Sequence, residues 1–362
     1  MATTRSMRWS RRWRGPATTS TPRAPPDPVP AAVPATSRAL AAVGLGLCSA
    51  LFFTMTYVLN RVGANAGGDW TWTACLRYLI TLPLLLPLLP WQGGAAPVWR
   101  AIRRHPLAWL RCSAIGFGAF YLLLSFAASS GPSWLVAGSF QFTVVAGILC
   151  APLLYRDARR RIPRAALMVA ALILAGVLLL QAGHGGGAID RAGWIALACV
   201  LGAAVAYPLG NRLLLLHLER SGEDLNATQR VFGMTLASQP LWWLVAAWAW
   251  TRSGAPPAEQ VWLAAGVALS AGVIASILFF QATGMVRDNP TALGGVEAMQ
   301  GSELLFAIVI GVLFLGEPVP GAVGLAGAAL IIGGIGVFAW LVSRHAAGHP
   351  ARQRALRTDK GA

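Results

Sequence analysis

The sequence predicts an all-α polytopic membrane protein with ten transmembrane helices arranged as two inverted five-helix repeats. Its 362 residues are 56% hydrophobic and only 12% charged, with a mean hydropathy of +0.58, outside the range of soluble domains. Ten apolar runs lie near the roughly 20 residues that an α-helix needs to cross a hydrocarbon core about 30 Å thick. Polar residues also recur in the same order in the first five runs and the last five.

In chain order the runs cover residues 39–60, 71–91, 107–129, 132–154, 164–183, 193–216, 231–250, 261–284, 291–316 and 319–342, here segments 1 to 10. Most are separated by charged or Gly/Pro-rich stretches. The shortest breaks are "SSGPS" between segments 3 and 4 and "GEPVP" between segments 9 and 10, where Pro132, Pro318 and Pro320 end the helical pattern.

Orientation follows from the arginines, because basic loops are retained on the cytoplasmic side. With the N-terminus inside, 24 Lys/Arg fall in cytoplasmic loops and tails and only Arg61, Arg191 and Arg252 fall outside; Arg77 and Arg111 lie within segments. Both termini are therefore expected in the cytoplasm. Residues 1–38, rich in Pro, Thr and Arg, read as a disordered basic tail, and 343–362 as a second one. "SRRWR" in the first tail is similar to a twin-arginine export signal, but the next apolar run lies more than twenty residues away, so the tail is read as topogenic. Arg in preference to Lys, with abundant Ala, points to a GC-rich bacterial genome and hence to a bacterial inner membrane.

The net charge of +16 does not indicate nucleic-acid binding, since the basic residues are scattered over loops and tails rather than gathered on one face. The five cysteines lie in apolar segments at wide spacing and read as small packing residues, forming neither a disulfide framework nor a metal cage. No histidine lies in a segment, no His-Glu-x-x-His occurs, and "HGGGAID" lacks the Lys-Ser/Thr of a phosphate-binding loop. The sequence thus predicts no enzyme, no metal and no cofactor.

Internal repetition supports the two-repeat reading, with residues 39–183 as the first unit and 184–342 as the second. Segment 1 ends "TYVLNR" and segment 6 ends "YPLGNR"; segment 4 carries Gln141 in "SFQFTVVAGIL" where segment 9 carries Gln300 in "AMQGSELLFAIV"; "FGAFYLLLSFA" of segment 3 matches "AGVIASILFFQA" of segment 8. A five-helix unit crosses an odd number of times, so its second copy enters the membrane upside down. That is the architecture of secondary transporters, whose substrate site lies near the midplane between the halves.

At these residues the chain resembles the drug/metabolite transporter superfamily, specifically its ten-helix EamA-type exporters, and most closely the bacterial multidrug resistance efflux group. "YPLGNR" (207–212), "RVFGMTLASQP" (230–240), "SAGVIASILFFQAT" (270–283) and "VEAMQGSELLF" leading into "LFLGE" (296–306, 313–317) carry the resemblance, which covers about residues 40–342. It implies an exporter that exchanges a small substrate for protons. The small four-helix multidrug proteins of the superfamily use a buried glutamate in their first helix. Segment 1 has no acid, so that role must fall elsewhere if the mechanism is kept.

Segment 9 offers the replacement. On an α-helix Glu297, Gln300 and Glu303 lie about 60° apart in succession and form one polar stripe, with Glu303 near mid-span and Glu297 roughly 9 Å closer to the cytoplasm. An ionised carboxylate at the bilayer centre costs several kcal/mol, so Glu303 is expected to face a partner, a water-filled cavity or the other repeat. A buried carboxyl that takes a proton from one side and releases it on the other would couple transport; the alternative is a structural ion pair with Arg77. Arg77 itself would pair with Glu303, hold an anionic substrate group, or snorkel to the outer interface. Asn60, Gln141, Tyr207 and Asn211 either line the pathway or hydrogen-bond between helices. Tyr121, Phe126, Phe140, Phe279 and Phe280 are candidates for an aromatic pocket. Pro208 and Gly210 are expected to hinge or break segment 6.

The predicted activity is secondary-active, proton-coupled export of small organic molecules, with protons, the substrate and the lipid bilayer as partners. An amino-acid or metabolite exporter is the alternative in substrate, and a non-transporting membrane scaffold the alternative in class.

Overall fold

The structure, a computed structural model, describes residues 35–156, 164–184, 190–286, 296, 299–337 and 340–341. Every regular element among them is helical. In chain order these are α1 (Ala35–Asn65), α2 (Trp70–Leu85), α3 (Ala96–Arg104), α4 (Pro106–Ser113), α5 (Phe120–Ala128), α6 (Ser133–Phe140), α7 (Thr143–Leu149), α8 (Ala151–Leu154), α9 (Arg164–His184), α10 (Arg191–Ser221), α11 (Ala227–Ser253), α12 (Ala258–Val267), α13 (Ser276–Val286), α14 (Ser302–Leu315) and α15 (Ala322–Val337). Two π-helical segments, Ala114–Ala119 and Ala268–Ala275, join α4 to α5 and α12 to α13 into continuous rods.

Among the described residues five rods are both long and apolar enough to cross a membrane: Leu40–Asn65, Trp70–Leu88, Pro106–Ala128, Arg191–Ser221 and Ala258–Thr283. Leu167–Gly183, Ser302–Leu315 and Ala322–Val337 are shorter apolar helices. The distribution of side chains is that of a protein dissolved in lipid. Leu153, Trp243, Leu244, Trp262, Leu313 and Phe314 face outward, whereas Thr54, Asn60, Arg77, Gln141, Ser238 and Glu303 are buried. Water would favour the reverse; a hydrocarbon solvent drives polar groups inward to find partners. The chain is a multi-pass membrane protein.

Local chemistry explains several ends. Asp69 caps α2, accepting from the Thr71 amide at 2.7 Å. Asn226 caps α11 reciprocally: its Oδ1 accepts from the Gln229 amide at 2.9 Å, and Gln229 Oε1 accepts from the Asn226 amide at 3.1 Å. The basic stretch "WRAIRRH", expected as a loop, contains the short helix α3, with Arg103 lying over the exposed Trp99 ring at 5.1 Å. Trp72 is buried, and its indole donates to Gly254 O at 3.0 Å.

Segment 6 departs from expectation. α10 runs unbroken through Pro208, and Gly210 has a different role: its backbone lies directly against that of Gly116, so that a Cβ on Gly210 would collide with the Gly116 backbone. Segments 4 and 9 are the interrupted ones. A turn at Gln141–Phe142 separates α6 from α7, and a turn at Gln300–Gly301 precedes α14. The two matched glutamines therefore mark matched breaks.

Packing brings the first and last parts of the chain together. α1 packs on α14 and on the α12–α13 rod, while α10 packs on α6–α7 and on the α4–α5 rod; α2 lies against α11 and α12, α11 against α2 and α4, and α6 against α14. α9 and α15 cross through glycines, Gly176 meeting Gly327 and Gly183 meeting Gly324 backbone to backbone. Gly202 of α10 lies beside Leu123 of α5, whereas Gly210 lies beside Gly116, so these two rods are antiparallel.

Candidate functional site

The centre of the bundle holds a cavity of about 590 Å³ that draws its walls from α1, α2, both π-containing rods, α6–α7, α10, α11 and α14. Glu303 lies in the first turn of α14, immediately after the Gln300–Gly301 break, with its amide bonded to Gln300 O at 3.0 Å. It is 7% exposed. Tyr57 of α1 donates its hydroxyl to Glu303 Oε2 at 2.9 Å, and the Gln141 side chain lies within hydrogen-bonding reach of the same carboxylate. The acid is thus held between segments 1, 4 and 9, two of which are interrupted beside it.

Arg77 occupies a second wall. Its guanidinium lies over the Tyr121 ring at 4.1 Å and 5.4 Å from the Tyr78 ring, and Tyr78 stacks on Trp242 at 4.7 Å with the planes 6° apart. Tyr121 in turn donates to Asn60 Oδ1 at 3.1 Å. This aromatic cradle holds the cation in the interior: Arg77 is 7% exposed, so it does not snorkel to an interface. Nor does it pair with Glu303. The salt bridges among the described residues are Arg61–Glu317 and Arg104–Glu223. Arg77 Nη1 is buried with no hydrogen-bond partner among the described residues, which costs about 1–3 kcal/mol for a neutral group and more for a charged one.

The structure gathers Glu303, Gln300, Arg77, Gln141, Tyr207 and Asn211 around this one cavity. Gln300 Nε2 is buried and has no hydrogen-bond partner among the described residues, whereas Asn211 Nδ2 is satisfied by Tyr207 O at 3.0 Å. Asn60 and Tyr121 sit behind the lining and support Arg77. Phe126 does not belong to the site: its ring meets Trp70 edge-on at 5.4 Å near the far end of α5, away from the cavity. Phe279 and Phe140 do line it. Glu297 and the side chain of Phe280 lie outside the described residues.

Several lining residues were not singled out in the sequence. Tyr57 is the one that touches Glu303, and its match with Tyr207 across the repeats was the available signal. Arg212 and Arg230, counted as loop residues in the charge bias, lie on α10 and α11 and face the cavity. The cavity runs from Glu303 and Tyr57 to these arginines.

Glu317 links three parts of the chain at the opposite end of the bundle. Glu317 is buried; its carboxylate accepts from the Ser133 amide at 2.7 Å and from Ser133 Oγ at 2.8 Å. Arg61 Nε lies 4.0 Å from the same carboxylate, and Arg61 Nη1 donates to Ser129 O at 3.4 Å. Gly311 leaves room for the acid, since a Cβ there would meet Glu317 Oε2. One carboxylate therefore joins the end of α1, the α5–α6 turn and the α14–α15 turn.

Residues 40–344 match the EmrE family, described as "Putative multidrug resistance efflux transporter". Among curated proteins, "Uncharacterized protein YjlA" of Bacillus subtilis (strain 168) is 40% identical over 303 residues, covering 81% of this chain and 93% of that protein. "Uncharacterized 42.1 kDa protein in intracellular alkaline protease 3'region" of Shouchella clausii is 37% identical over 265 residues, covering 72% of this chain and 69% of its own length. A solved crystal structure shares the fold with a TM-score of 0.50 at 19% identity, over 84% of this chain and 98% of that one. The chain belongs to the EmrE family, a family of transporters and not of enzymes.

Proposed function

We propose that the protein is a proton-coupled exporter of small organic molecules in a bacterial inner membrane, with Glu303 as the coupling carboxyl. Ten membrane-spanning helices form two inverted repeats, residues 39–183 and 184–342, flanked by cytoplasmic tails at 1–38 and 343–362. The observation that carries this reading is the buried acid inside a polar and aromatic cavity shared by the two halves. A scaffold has no use for an intramembrane carboxylate beside a cavity, whereas a carrier needs one.

The repeat is supported by a series of correspondences. Contacts between the halves correspond: segment 1 with 8 and 9 answers segment 6 with 3 and 4, and segment 2 with 8 answers segment 7 with 3. The π-helical segments occur at equivalent places in segments 3 and 8, the breaks at equivalent glutamines in 4 and 9, and the Asx caps at the starts of 2 and 7. Interrupted helices beside a midplane site are a feature of inverted-repeat transporters.

Sidedness rests on the arginine bias, which assigns the Arg212–Arg230 end to the cytoplasm and the Glu317 tie to the outside. On that assignment the cavity faces inward. A substrate enters from the cytoplasm, a rocking of the halves breaks the outer tie, and a proton returns on Glu303.

The test is reconstitution in liposomes with an imposed pH gradient, following proton release when lipophilic cations or amino acids are added. Release by the parent and its loss in Glu303→Gln is the expected result. A substrate-driven signal that is equal in both proteins would make Glu303 structural and refute the coupling.

A further inference from the structure

The balance of charge in the cavity conflicts with a cationic substrate. Among the described residues three arginines line it, Arg77, Arg212 and Arg230, against one acid, Glu303, whose carboxylate accepts from Tyr57 and lies within reach of Gln141. Arg77 is the decisive member. It is more than nine-tenths buried, its guanidinium is steadied by Tyr121 and Tyr78, and its Nη1 has no partner among the described residues. A planar, always-charged guanidinium with an unpartnered Nη1 suits a carboxylate oxygen. A cation in the same space would meet repulsion from it.

The remaining wall defines the other half of such a ligand. Phe120, Phe140 and Tyr207 form a ring cluster with centroids 4.9 to 6.4 Å apart, a broad apolar surface that suits a flat ring. The cavity volume of about 590 Å³ lies in the range that holds a small organic molecule. At the other end Arg212 and Arg230 give the approach a positive potential that concentrates anions.

Resting on the exporter reading, we propose that the transported substrate is a small aromatic carboxylate, its ring against Phe120, Phe140 and Tyr207 and its carboxylate on Arg77. Outward movement of an anion follows the inside-negative membrane potential, so the substrate's own charge assists export.

The test uses the full chain in liposomes with two probes, indole-3-acetate and tetraphenylphosphonium, together with the shift in melting temperature that each causes in the detergent-solubilised protein. The expected result is transport of indole-3-acetate at least tenfold faster than tetraphenylphosphonium, with stabilisation by the anion alone. Arg77→Gln is expected to lose anion transport by about 100-fold. Arg77→Lys, which keeps the charge but not the fork, should need about tenfold more anion for half-saturation and guards against a folding defect in the first variant. Transport of tetraphenylphosphonium but not of indole-3-acetate would overturn the substrate class, and undiminished anion transport in both variants would overturn the placing of the carboxylate on Arg77; either result leaves the exporter reading in place. If neither probe moves or stabilises the protein, both readings fall.

Discussion

Replacing Glu317 with Ala should unlock the outer end of the bundle. The carboxylate makes two hydrogen bonds to Ser133, at 2.7 Å from the amide and 2.8 Å from Oγ. Bonds to a charged group are worth about 1.5–3 kcal/mol each. The Arg61 contact, at 4.0 Å and with the arginine side chain 24% exposed, adds little. If outward opening separates the α14–α15 turn from the α5–α6 turn, both bonds oppose it, and their loss moves the equilibrium by about 3 kcal/mol even at the low end. Since 1.4 kcal/mol is a factor of ten, the outward-open population should rise roughly 100-fold. A single cysteine at Thr56, which lines the cavity, in a background without the five native cysteines reports this. Its labelling by a membrane-impermeant maleimide in right-side-out vesicles should accelerate by at least tenfold in the Glu317→Ala protein. Unchanged labelling together with a lower melting temperature would show that the tie only stabilises the fold, and the gating argument would be refuted.

Two further outcomes test other parts of the structure. Tyr57→Phe removes the hydroxyl that bonds Glu303 while keeping the ring, so proton-driven transport should fall by about tenfold or more, corresponding to about 1.5 kcal/mol, with little change in melting temperature; an unaltered rate would separate Tyr57 from coupling. Gly116→Val places a branched side chain against the Gly210 backbone, and overpacking of this kind costs about 1–3 kcal/mol, read as a lower melting temperature and faster loss of monodisperse protein in detergent.

Polar residues made the site partly legible in the sequence because hydrocarbon makes each of them costly. Glu303, Gln300, Arg77 and Gln141 stood out against apolar neighbours, and all four line the cavity. Aromatic residues carry no such signal, since a phenylalanine costs nothing on any face of a membrane helix; Phe126 and Phe140 look alike in the chain and part company only in the packing. Arg212 and Arg230 were hidden by the charge bias, which counts basic residues near helix ends without asking where their side chains turn. The break at Gln141–Phe142 has neither Pro nor Gly to announce it, and the tie at Glu317 depends on which turn lies opposite, a matter of tertiary contact.

The paired π-helical segments have a mechanical consequence. A π-turn is one residue more than the α-helix around it can absorb, and the surplus can move along the rod. Shifting it by one position swings the residue it passes by about 100° while the helix keeps its length and both ends stay where they are. Phe117 lies in the first π segment and Ala271 and Gly272 in the second, all on the cavity wall. Migrating surpluses would let two opposed rods exchange the faces they show to the interior while their ends remain anchored, so that the cavity is re-lined from within and no charged loop is dragged through lipid.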